Sequence, residues 1–380
     1  MTGPDMMLWW GRGKALKGPA FLRAMAAGKK QYLKHARIPL RPDTHSVAEL
    51  LDEMSGTGFQ GRKLGEAFEV WKRMLVERKN VIFMSLAGAM VPAGMGTLLA
   101  HLLRRRYIDV LVCTGATLSH DLYEALGGRH FLGTHMVDDG ALQKHRIDRV
   151  YDVYADEDRF YEADRWVMRW MRDTLEDRTP YSSREIVAGV GKALLGKEKA
   201  KNSILVAAYE SGVPVFVPAL GDSSLGFSIM FGNRRSGKKV VVDMMKDVDE
   251  ITRIAEASPQ SSVVIIGGGV PKNYVQQTAV IAGYQTRHDR MHRLALQITT
   301  DSPQWGGLSG CTLEESVSWG KYHPDAEMVT CYTDATIALP FLVSGLTESR
   351  AEKWRDVPRF EFNGGKVQVH FGKRRRRSHS

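Results

Sequence analysis

The stretch Ile108-Asp-Val-Leu-Val-Cys-Thr-Gly-Ala116 decides the fold class. An apolar run that ends at a small polar residue and a glycine is typical of a buried strand followed by a turn. The run Val81-Ile-Phe-Met84 predicts another such strand, with a helix at 95–105 between the two. Fully buried strands that alternate with helices predict an α/β fold, a mostly parallel sheet covered by helices on both faces.

Similar patterns continue along the chain. Helical spacing predicts a helix that begins after Ser46 and another that ends near Lys79, whereas the polar segment 138–200 predicts helical elaboration without a sheet. Alternation around Asn363-Gly364 predicts a β-hairpin at 359–371. Further short β-branched runs predict strands at 214–218, 239–243, 263–267, 293–298 and 328–332.

Composition narrows the class of protein. Hydrophobic residues make up 43% of the 380 residues and charged residues 25%, which excludes a largely disordered chain. The longest apolar stretch, 81–103, is interrupted by polar residues, glycines and a proline, so we expect no membrane span. The first residues lack the pattern of a secretory leader. These features predict a cytoplasmic protein.

Charge and cysteine content argue against two kinds of site. The formal net charge is +10, and the run Lys-Arg-Arg-Arg-Arg at 373–377 supplies five of these charges. A solvated tail is the preferred interpretation, with nucleic-acid binding by the tail as its alternative. Three scattered cysteines are too few for a zinc site or a disulfide framework, so we expect no metal. Cys113 and Cys331 are expected to pack as small apolar residues.

Candidate ligand-binding residues follow the predicted strands, because ligands of open α/β sheets lie beyond the carboxyl ends of the strands. Gly267-Gly-Gly-Val270 would let a backbone approach a phosphate closely, or would form a tight turn. Asp222 would hold a ribose or close an Asx turn. Thr114 and Asp334 would face a ligand or cap the helices that follow. The residues alone leave each alternative open.

The stretch Thr312-Leu-Glu-Glu-Ser-Val-Ser-Trp-Gly-Lys321 is the most informative one. Thr312 and Glu315 have the spacing of a capping box, which gives Glu315 a structural role. Lys321 then falls near the end of a helix, where a solvated lysine complements the helix dipole. The alternative is a nucleophilic amine made reactive by desolvation, with the ring of Trp319 beside a cationic substrate.

This stretch also resembles a known active site. Val317-Ser-Trp-Gly-Lys321 is similar to the signature of the deoxyhypusine synthase family, whose lysine forms a covalent imine. The resemblance covers 46–346, between a basic arm at 1–45 and a hairpin with a basic tail at 347–380. The other similar stretches occur in family order and are Thr57-Gly-Phe-Gln60, Asp109-Val-Leu-Val-Cys-Thr114, Asp121-Leu122, Pro214-Val-Phe216, Pro218-Ala-Leu220, Asp222, Ser224-Leu-Gly226, Gly267-Gly-Gly-Val270 with Lys272, and Tyr332 with Asp334-Ala335.

The resemblance implies a Rossmann-like NAD-binding domain, a homotetramer with sites at subunit interfaces, and aminobutyl transfer from spermidine to an amine. Lys321 would be the catalytic residue. Trp319 and Glu315 would bind the polyamine. The positions that would carry over to the NAD site are Thr114, Asp222, Gly268, Asp334 and Ala335.

Three departures set this chain apart from the eukaryotic protein-modifying members. Phe227 replaces an aspartate, Asn273 replaces a histidine, and Ser119-His120-Asp121 replaces a Glu-Glu-Asp run. The loop with Asp301 and Trp305 offers an acid and an aromatic ring in their place as further substrate contacts.

This pattern resembles the bacterial deoxyhypusine-synthase-like branch, which is related to homospermidine-forming enzymes, and implies free amines as acceptors. The alternatives are deoxyhypusine synthesis on a protein lysine and a non-catalytic NAD- or polyamine-binding protein.

Overall fold

A computed structural model describes residues 33, 36–43, 46–307 and 311–373 of the chain. Most of the basic arm predicted at 1–45 lies outside these residues, and so does the part of the basic tail that follows residue 373.

The described chain alternates strands and helices over most of its length. The strands are β1 (Asn80–Leu86), β2 (Val110–Cys113), β3 (His130–Leu132), β4 (Ile147–Val150), β5 (Val153–Asp156), β6 (Pro180–Tyr181), β7 (Val215–Phe216), β8 (Val241–Val242), β9 (Gln260–Ile266), β10 (His292–Thr299), β11 (Tyr322–Tyr332), β12 (Asp356–Asn363) and β13 (Lys366–Lys373).

The α-helices are α1 (Val47–Met54), α2 (Phe59–Val76), α3 (Gly96–Arg105), α4 (Gly115–Ala125), α5 (Asp139–Lys144), α6 (Glu157–Thr174), α7 (Ser183–Ala193), α8 (Ile204–Ser211), α9 (Ser224–Ser236), α10 (Met244–Ala257), α11 (Gly269–Thr286), α12 (Leu313–Val317) and α13 (Ala335–Ser349).

Six parallel strands form the central sheet, in the order β11-β10-β9-β1-β2-β7. The chain first builds outward from β1 through β2 to β7, and then returns to build the other side through β9, β10 and β11. The direction of winding therefore reverses between β1 and β9. The predicted α/β class and parallel sheet are confirmed.

The sheet is apolar throughout because both of its faces are covered. In β1, Ile82 and Met84 belong to one core cluster, which also contains Trp71 of α2. Val81 and Phe83, which point to the opposite face, belong to a second cluster that contains Ile254 of α10. Alternate residues of one strand thus reach helices on opposite sides of the sheet.

Three predictions of secondary structure need correction. The segment 138–200 contains the predicted helices, α5, α6 and α7, but it also contains β4 and β5, which pair with β3 in a small antiparallel sheet. These strands are half-exposed and therefore lack the continuous apolar run of the central strands. The strand predicted at 239–243 is reduced to β8, which pairs with β6 outside the central sheet. Helix α4 also begins five residues before the predicted start at His120, since Gly115 is its first residue.

The predicted C-terminal hairpin is present. Strands β12 and β13 pair antiparallel, with Asn363 opposite Lys366 around Gly364-Gly365. Arg355, just before β12, is buried and forms an ion pair with the buried carboxylate of Asp109, next to β2. This contact ties the hairpin to the sheet. In the described part of the chain, no helix is both long enough and apolar enough to cross a membrane.

Candidate active site

The predicted site residues that follow strands leave the sheet at one edge, whereas Lys321 precedes β11, whose first residue pairs with His292 at the start of β10. Leu86 of β1 is in register with Cys113 and Ile266, the last residues of β2 and β9. Ile298 pairs with Ile266, and Thr299 of β10 pairs with Tyr332. The residues that follow these strands therefore start from a common carboxyl edge, and they include Thr114, Gly268, Asp301 and Asp334.

The glycine turn after β9 opens helix α11. Gly267 and Gly269 have φ angles of 76° and 66°, in the left-handed region that favours glycine. Gly268 lies between them as the N-cap of α11. A Cβ atom on Gly267 would lie 3.4 Å from the carbonyl oxygen of Ala87. The turn is tight, and it leaves the backbone N–H groups of the first helical turn at the sheet edge.

The loops after β2 and β7 pack against each other. A side chain at Gly115 would collide with Ser223. The Thr114 hydroxyl lies 3.1 Å from that of Thr117. Asp222 is exposed, and its carboxylate accepts no hydrogen bond from any residue that the structure describes. The Asx turn considered for Asp222 does not form, so this acid remains open to solvent.

Asp334 and Ala335 occupy the start of α13. One carboxylate oxygen of Asp334 accepts hydrogen bonds from both the backbone N–H and the hydroxyl of Thr336, each at 2.6 Å. These bonds lower the pKa of the Asp334 carboxyl below its usual range. Of the two roles considered for Asp334, the helix cap is present in the structure. Its second oxygen is the one left to face a ligand.

The lysine of the signature follows a short helix. Thr312 caps α12 by accepting the backbone N–H of Glu315 at 3.0 Å. A capping box also needs a hydrogen bond from the backbone N–H of Thr312 to the Glu315 carboxylate. This bond is not seen among the described residues, and Glu315 is exposed. Gly320 has a φ of 70°, and the N–H of Lys321 donates to the Ser316 carbonyl at 3.2 Å. Lys321 is thereby fixed just beyond the helix and directly before β11.

The side chain of Lys321 is buried rather than solvated. Only 6% of the residue is exposed, and its amine donates to the side-chain oxygen of Asn273 at 2.9 Å. Lys272, which precedes Asn273 in α11, is 0% exposed. Its amine donates to the side-chain oxygen of Gln297 at 3.1 Å and to the Cys311 carbonyl. We call Lys272, Asn273, Gln297 and Lys321 the lysine pocket.

Electrostatics make Lys272 the unusual member of the pocket. Burial, with help from the positive charge of Lys321, lowers the pKa of the Lys272 amine to about 8, against the opposing influence of Cys311, Glu315 and Asp301. Lys272 is therefore close enough to Lys321, Glu315 and Asp301 to interact with each of them. At mildly alkaline pH its amine is a proton acceptor held within a dry part of the site.

The lysine pocket is also linked to the glycine turn. The side-chain amide of Gln297 donates to the Gly267 carbonyl at 2.9 Å while its oxygen accepts from Lys272. Sequence reasoning did not assign Lys272 or Gln297 a role. One feature of the sequence could have indicated a role for Lys272, namely its position in the first turn of α11. A cation is unfavourable there because it opposes the helix dipole, so a functional role for this lysine could have been considered.

Two aromatic rings near these residues in the chain are open to solvent. Trp319, two residues before Lys321, is 65% exposed, and Trp305, in the loop after β10, is 77% exposed. Large exposed indoles are uncommon on a free surface and suit contacts with a cation or a second protein surface. The described residues thus combine buried amines with exposed rings and acids.

The segment Ser119-His120-Asp121 stabilises the fold through hydrogen bonds to neighbouring elements. The buried carboxylate of Asp121 accepts hydrogen bonds from Ser203 and from the backbone of Ile204 and Leu205, at the start of α8. The His120 ring lies 3.0 Å from a nitrogen of His130. The two positions that differ from a Glu-Glu-Asp run, Ser119 and His120, both form hydrogen bonds within the fold.

Comparison with known proteins supports the resemblance to the deoxyhypusine synthase family. Residues 49–346 match the deoxyhypusine synthase family. "Probable deoxyhypusine synthase 2" of Methanosarcina acetivorans is 46% identical over 88% of this chain and 96% of its own length. The protein of the same name from Archaeoglobus fulgidus is 50% identical over 79% of this chain and 98% of its own.

A "Deoxyhypusine synthase-like protein" of Elusimicrobium minutum is 36% identical over 86% of each chain. The fold is also similar to the crystal structure of an Entamoeba histolytica protein named for the same enzyme, with a TM-score of 0.55 and 16% identity over 82% of this chain and 95% of that one. The chain therefore belongs to the deoxyhypusine synthase family, whose members are transferases.

Proposed function

We propose that this protein is a cytoplasmic NAD-dependent transferase that moves an aminobutyl group from spermidine to an acceptor amine through an imine on Lys321. The observation that carries the proposal is the lysine pocket, which holds two buried amines and is linked through Gln297 to the glycine turn at the carboxyl edge of the sheet. A binding protein needs no buried nucleophile. Aminobutyl transfer does, because the four-carbon unit must be held between donor and acceptor.

Several features support an NAD site at this edge. Counted among themselves, the six central strands follow the order 3-2-1-4-5-6 of Rossmann-like dinucleotide-binding sheets. The glycine turn at Gly268 presents helix N–H groups to a phosphate, and the free carboxylate of Asp222 suits a ribose hydroxyl pair. Thr114, Asp334 and Ala335 complete the edge. NAD bound here would take up a hydride from the donor and later return it.

The polyamine would lie over the lysine pocket. Glu315 and Asp301 are acids within electrostatic range of Lys272, and carboxylates of this kind pair with the ammonium groups of a flexible polycation. The exposed ring of Trp319 offers a further cation contact. Because these groups are open in a single chain, we propose that a second subunit covers them, in a homotetramer with sites at subunit interfaces.

The chemistry needs a neutral amine at Lys321. Oxidation of the carbon beside the secondary amine of spermidine gives an imine, and the Lys321 amine adds to that carbon. The bond to 1,3-diaminopropane then breaks, which leaves the four-carbon unit as an imine on Lys321. An acceptor amine adds in its turn, Lys321 departs, and returning hydride reduces the product. We propose that the neighbouring Lys272 amine takes the proton that Lys321 must lose before each attack.

The identity of the acceptor separates two candidate functions. Phe227, which is 48% exposed on α9, removes the carboxylate that protein-modifying members place there, and Asn273 is occupied by Lys321. These departures favour a small free amine, as in homospermidine formation. Deoxyhypusine synthesis on a protein lysine is the second candidate, and the names of the archaeal relatives at 46–50% identity favour it.

A competition experiment distinguishes the two. The purified protein is incubated with NAD, spermidine, putrescine and a translation-factor precursor, and all products are identified by mass spectrometry. We expect transfer to putrescine to exceed labelling of the precursor, and Phe227→Asp to shift transfer toward the precursor. Labelling of the precursor with no product from putrescine would establish the second candidate. NAD and polyamine binding with no product at all would show a non-catalytic binding protein.

A further inference from the structure

A groove lined by arginines lies between helices α6 and α9, away from the lysine pocket. It has a volume of about 230 Å³. Its lining residues, four of which are arginines, are Arg165, Met168, Arg169, Arg172, Gly232, Arg235 and Ser236. Arg235 lies eleven residues after the first residue of α9, so the groove is roughly 16 Å along this helix from the loop that contains Asp222.

The groove exists because the two helices approach each other closely. Gly232 of α9 is buried, and a side chain at this position would collide with Met171 of α6. Just after α9 ends, the amine of Lys238 donates to the Leu175 carbonyl at 2.8 Å and joins the ends of the two helices. This packing brings Arg235 next to the row of arginines on α6.

The arginines form a row on α6. Arg165, Arg169 and Arg172 are four and three residues apart, so they share one face over a length of about 10 Å. Arg172 is paired with Asp173. Within the described residues, Arg165, Arg169 and Arg235 form no ion pair, although all three are exposed beside one another. Like charges this close repel, and a bound anion would relieve the repulsion.

Among the described residues, the acids near the groove form an ion pair with only one of its four arginines, Arg172. The carboxylate of Asp164 is used by the hydroxyls of Ser224 and Ser228, which join α6 to α9. The hydrogen bond from Arg172, together with the charges of Lys238 and Arg169, lowers the pKa of Asp173. The local field is therefore positive even around the rim acid.

We propose that this groove binds a compact anion that carries two or three phosphate groups. Guanidinium forks bind phosphate oxygens in pairs, and three unpaired arginines around one space suit a ligand with several such oxygens. A row of about 10 Å fits a di- or triphosphate better than a nucleic-acid strand, which would need basic residues over a longer track. Nothing in the proposed aminobutyl transfer uses these residues, so the groove would serve regulation or a separate ligand.

Calorimetry with the full-length protein and inorganic pyrophosphate tests the proposal without any measurement of activity. We expect saturable binding of one pyrophosphate per chain. Arg169→Gln and Arg235→Gln should each weaken it by about tenfold or more, as expected for the loss of a charge-assisted hydrogen bond. Arg234→Gln is the matched control, because Arg234 neighbours Arg235 on α9 but does not line the groove. Circular dichroism verifies that each variant is folded.

Four results would overturn the proposal. Pyrophosphate could fail to bind at millimolar concentration, or Arg234→Gln could weaken binding as much as Arg235→Gln, which would indicate a diffuse charge effect. Saturating NAD could displace pyrophosphate, which would place the anion in the cofactor site instead. A single-stranded RNA oligomer could bind through Arg169 and Arg235 while pyrophosphate does not, which would make the groove a nucleic-acid surface.

Discussion

The lysine pocket and the loops around Asp222 and Asp334 differ in their exposure to water. Lys272 is fully buried and Lys321 nearly so, and the amines of both are hydrogen-bonded to neutral oxygens. Asp222 and Asp334 are exposed, and only Asp334 has hydrogen bonds from its own helix. The lysine pocket therefore shields two amines from water, whereas the loops around Asp222 and Asp334 leave two carboxylates exposed to it.

This difference matches what each region is proposed to do. A lysine becomes a nucleophile when desolvation or a neighbouring cation disfavours its charged form. A carboxylate that binds a ribose hydroxyl needs no such change, because the ionised form is already the acceptor. Burial is therefore expected where chemistry occurs, and exposure where a ligand is held. Each prediction below tests one side of this contrast.

The largest effect is expected at Lys321. Arginine is similar in reach but remains protonated, so Lys321→Arg should lower aminobutyl transfer by about 10³-fold or more, as does loss of other catalytic nucleophiles. The fold and NAD affinity should be retained, and release of diaminopropane from spermidine oxidation can persist. Product analysis by mass spectrometry and calorimetry with NAD measure these outcomes. Transfer at the native rate would remove the covalent mechanism.

The next effect is expected at Lys272. Lys272→Met removes the proposed proton acceptor, and we expect transfer to fall by about 10²-fold, the scale of general-base catalysis. In the native protein the rate should rise with pH through about 8, where the Lys272 amine loses its proton. This rise should vanish in the variant. Lys239→Met, which changes an exposed lysine, is the control. An unchanged pH profile in Lys272→Met would assign Lys272 a packing role only.

Burial of Lys272 also predicts how stability depends on pH. Between pH of about 8 and 10.5 the folded protein holds a neutral Lys272, whereas the unfolded chain holds a charged one, so a rise in pH favours folding. From about pH 8 to 10, the free energy of unfolding of the native protein should therefore rise by about 2 kcal/mol relative to Lys272→Met. Denaturant unfolding at each pH measures the difference. A constant difference would mean that Lys272 stays charged in the pocket.

The smallest effects separate the two exposed acids. Asp222→Ala should weaken NAD binding by about tenfold, from the loss of a hydrogen bond to a charged group, and leave stability unchanged. Asp334→Ala removes a helix cap and should lower the free energy of unfolding by about 1 kcal/mol. Calorimetry and denaturant unfolding of both variants provide the comparison. Unchanged NAD affinity in a folded Asp222→Ala protein would exclude Asp222 from the cofactor site.

The outcome at particular residues shows what the sequence can and cannot predict. Strands such as β1 were predictable because burial on both faces makes them continuously apolar, and β4 and β5 were not, since half-exposed strands resemble polar loops. Glu315 has the spacing of a capping box, but spacing does not determine whether a side chain turns back to the helix. The burial of Lys321 depends on Asn273, which is 48 residues away in the chain and is brought near only by the fold.

Chemical trapping during turnover tests the central claim most directly. Borohydride is added to the native protein in the presence of NAD and spermidine, and the protein is digested and analysed by mass spectrometry. The account predicts a reduced aminobutyl group on the peptide that contains Lys321, none on the peptide that contains Lys272, and none in Lys321→Arg. An aminobutyl label on Lys272, or turnover with no trapped lysine, would contradict the division of roles between the two buried amines.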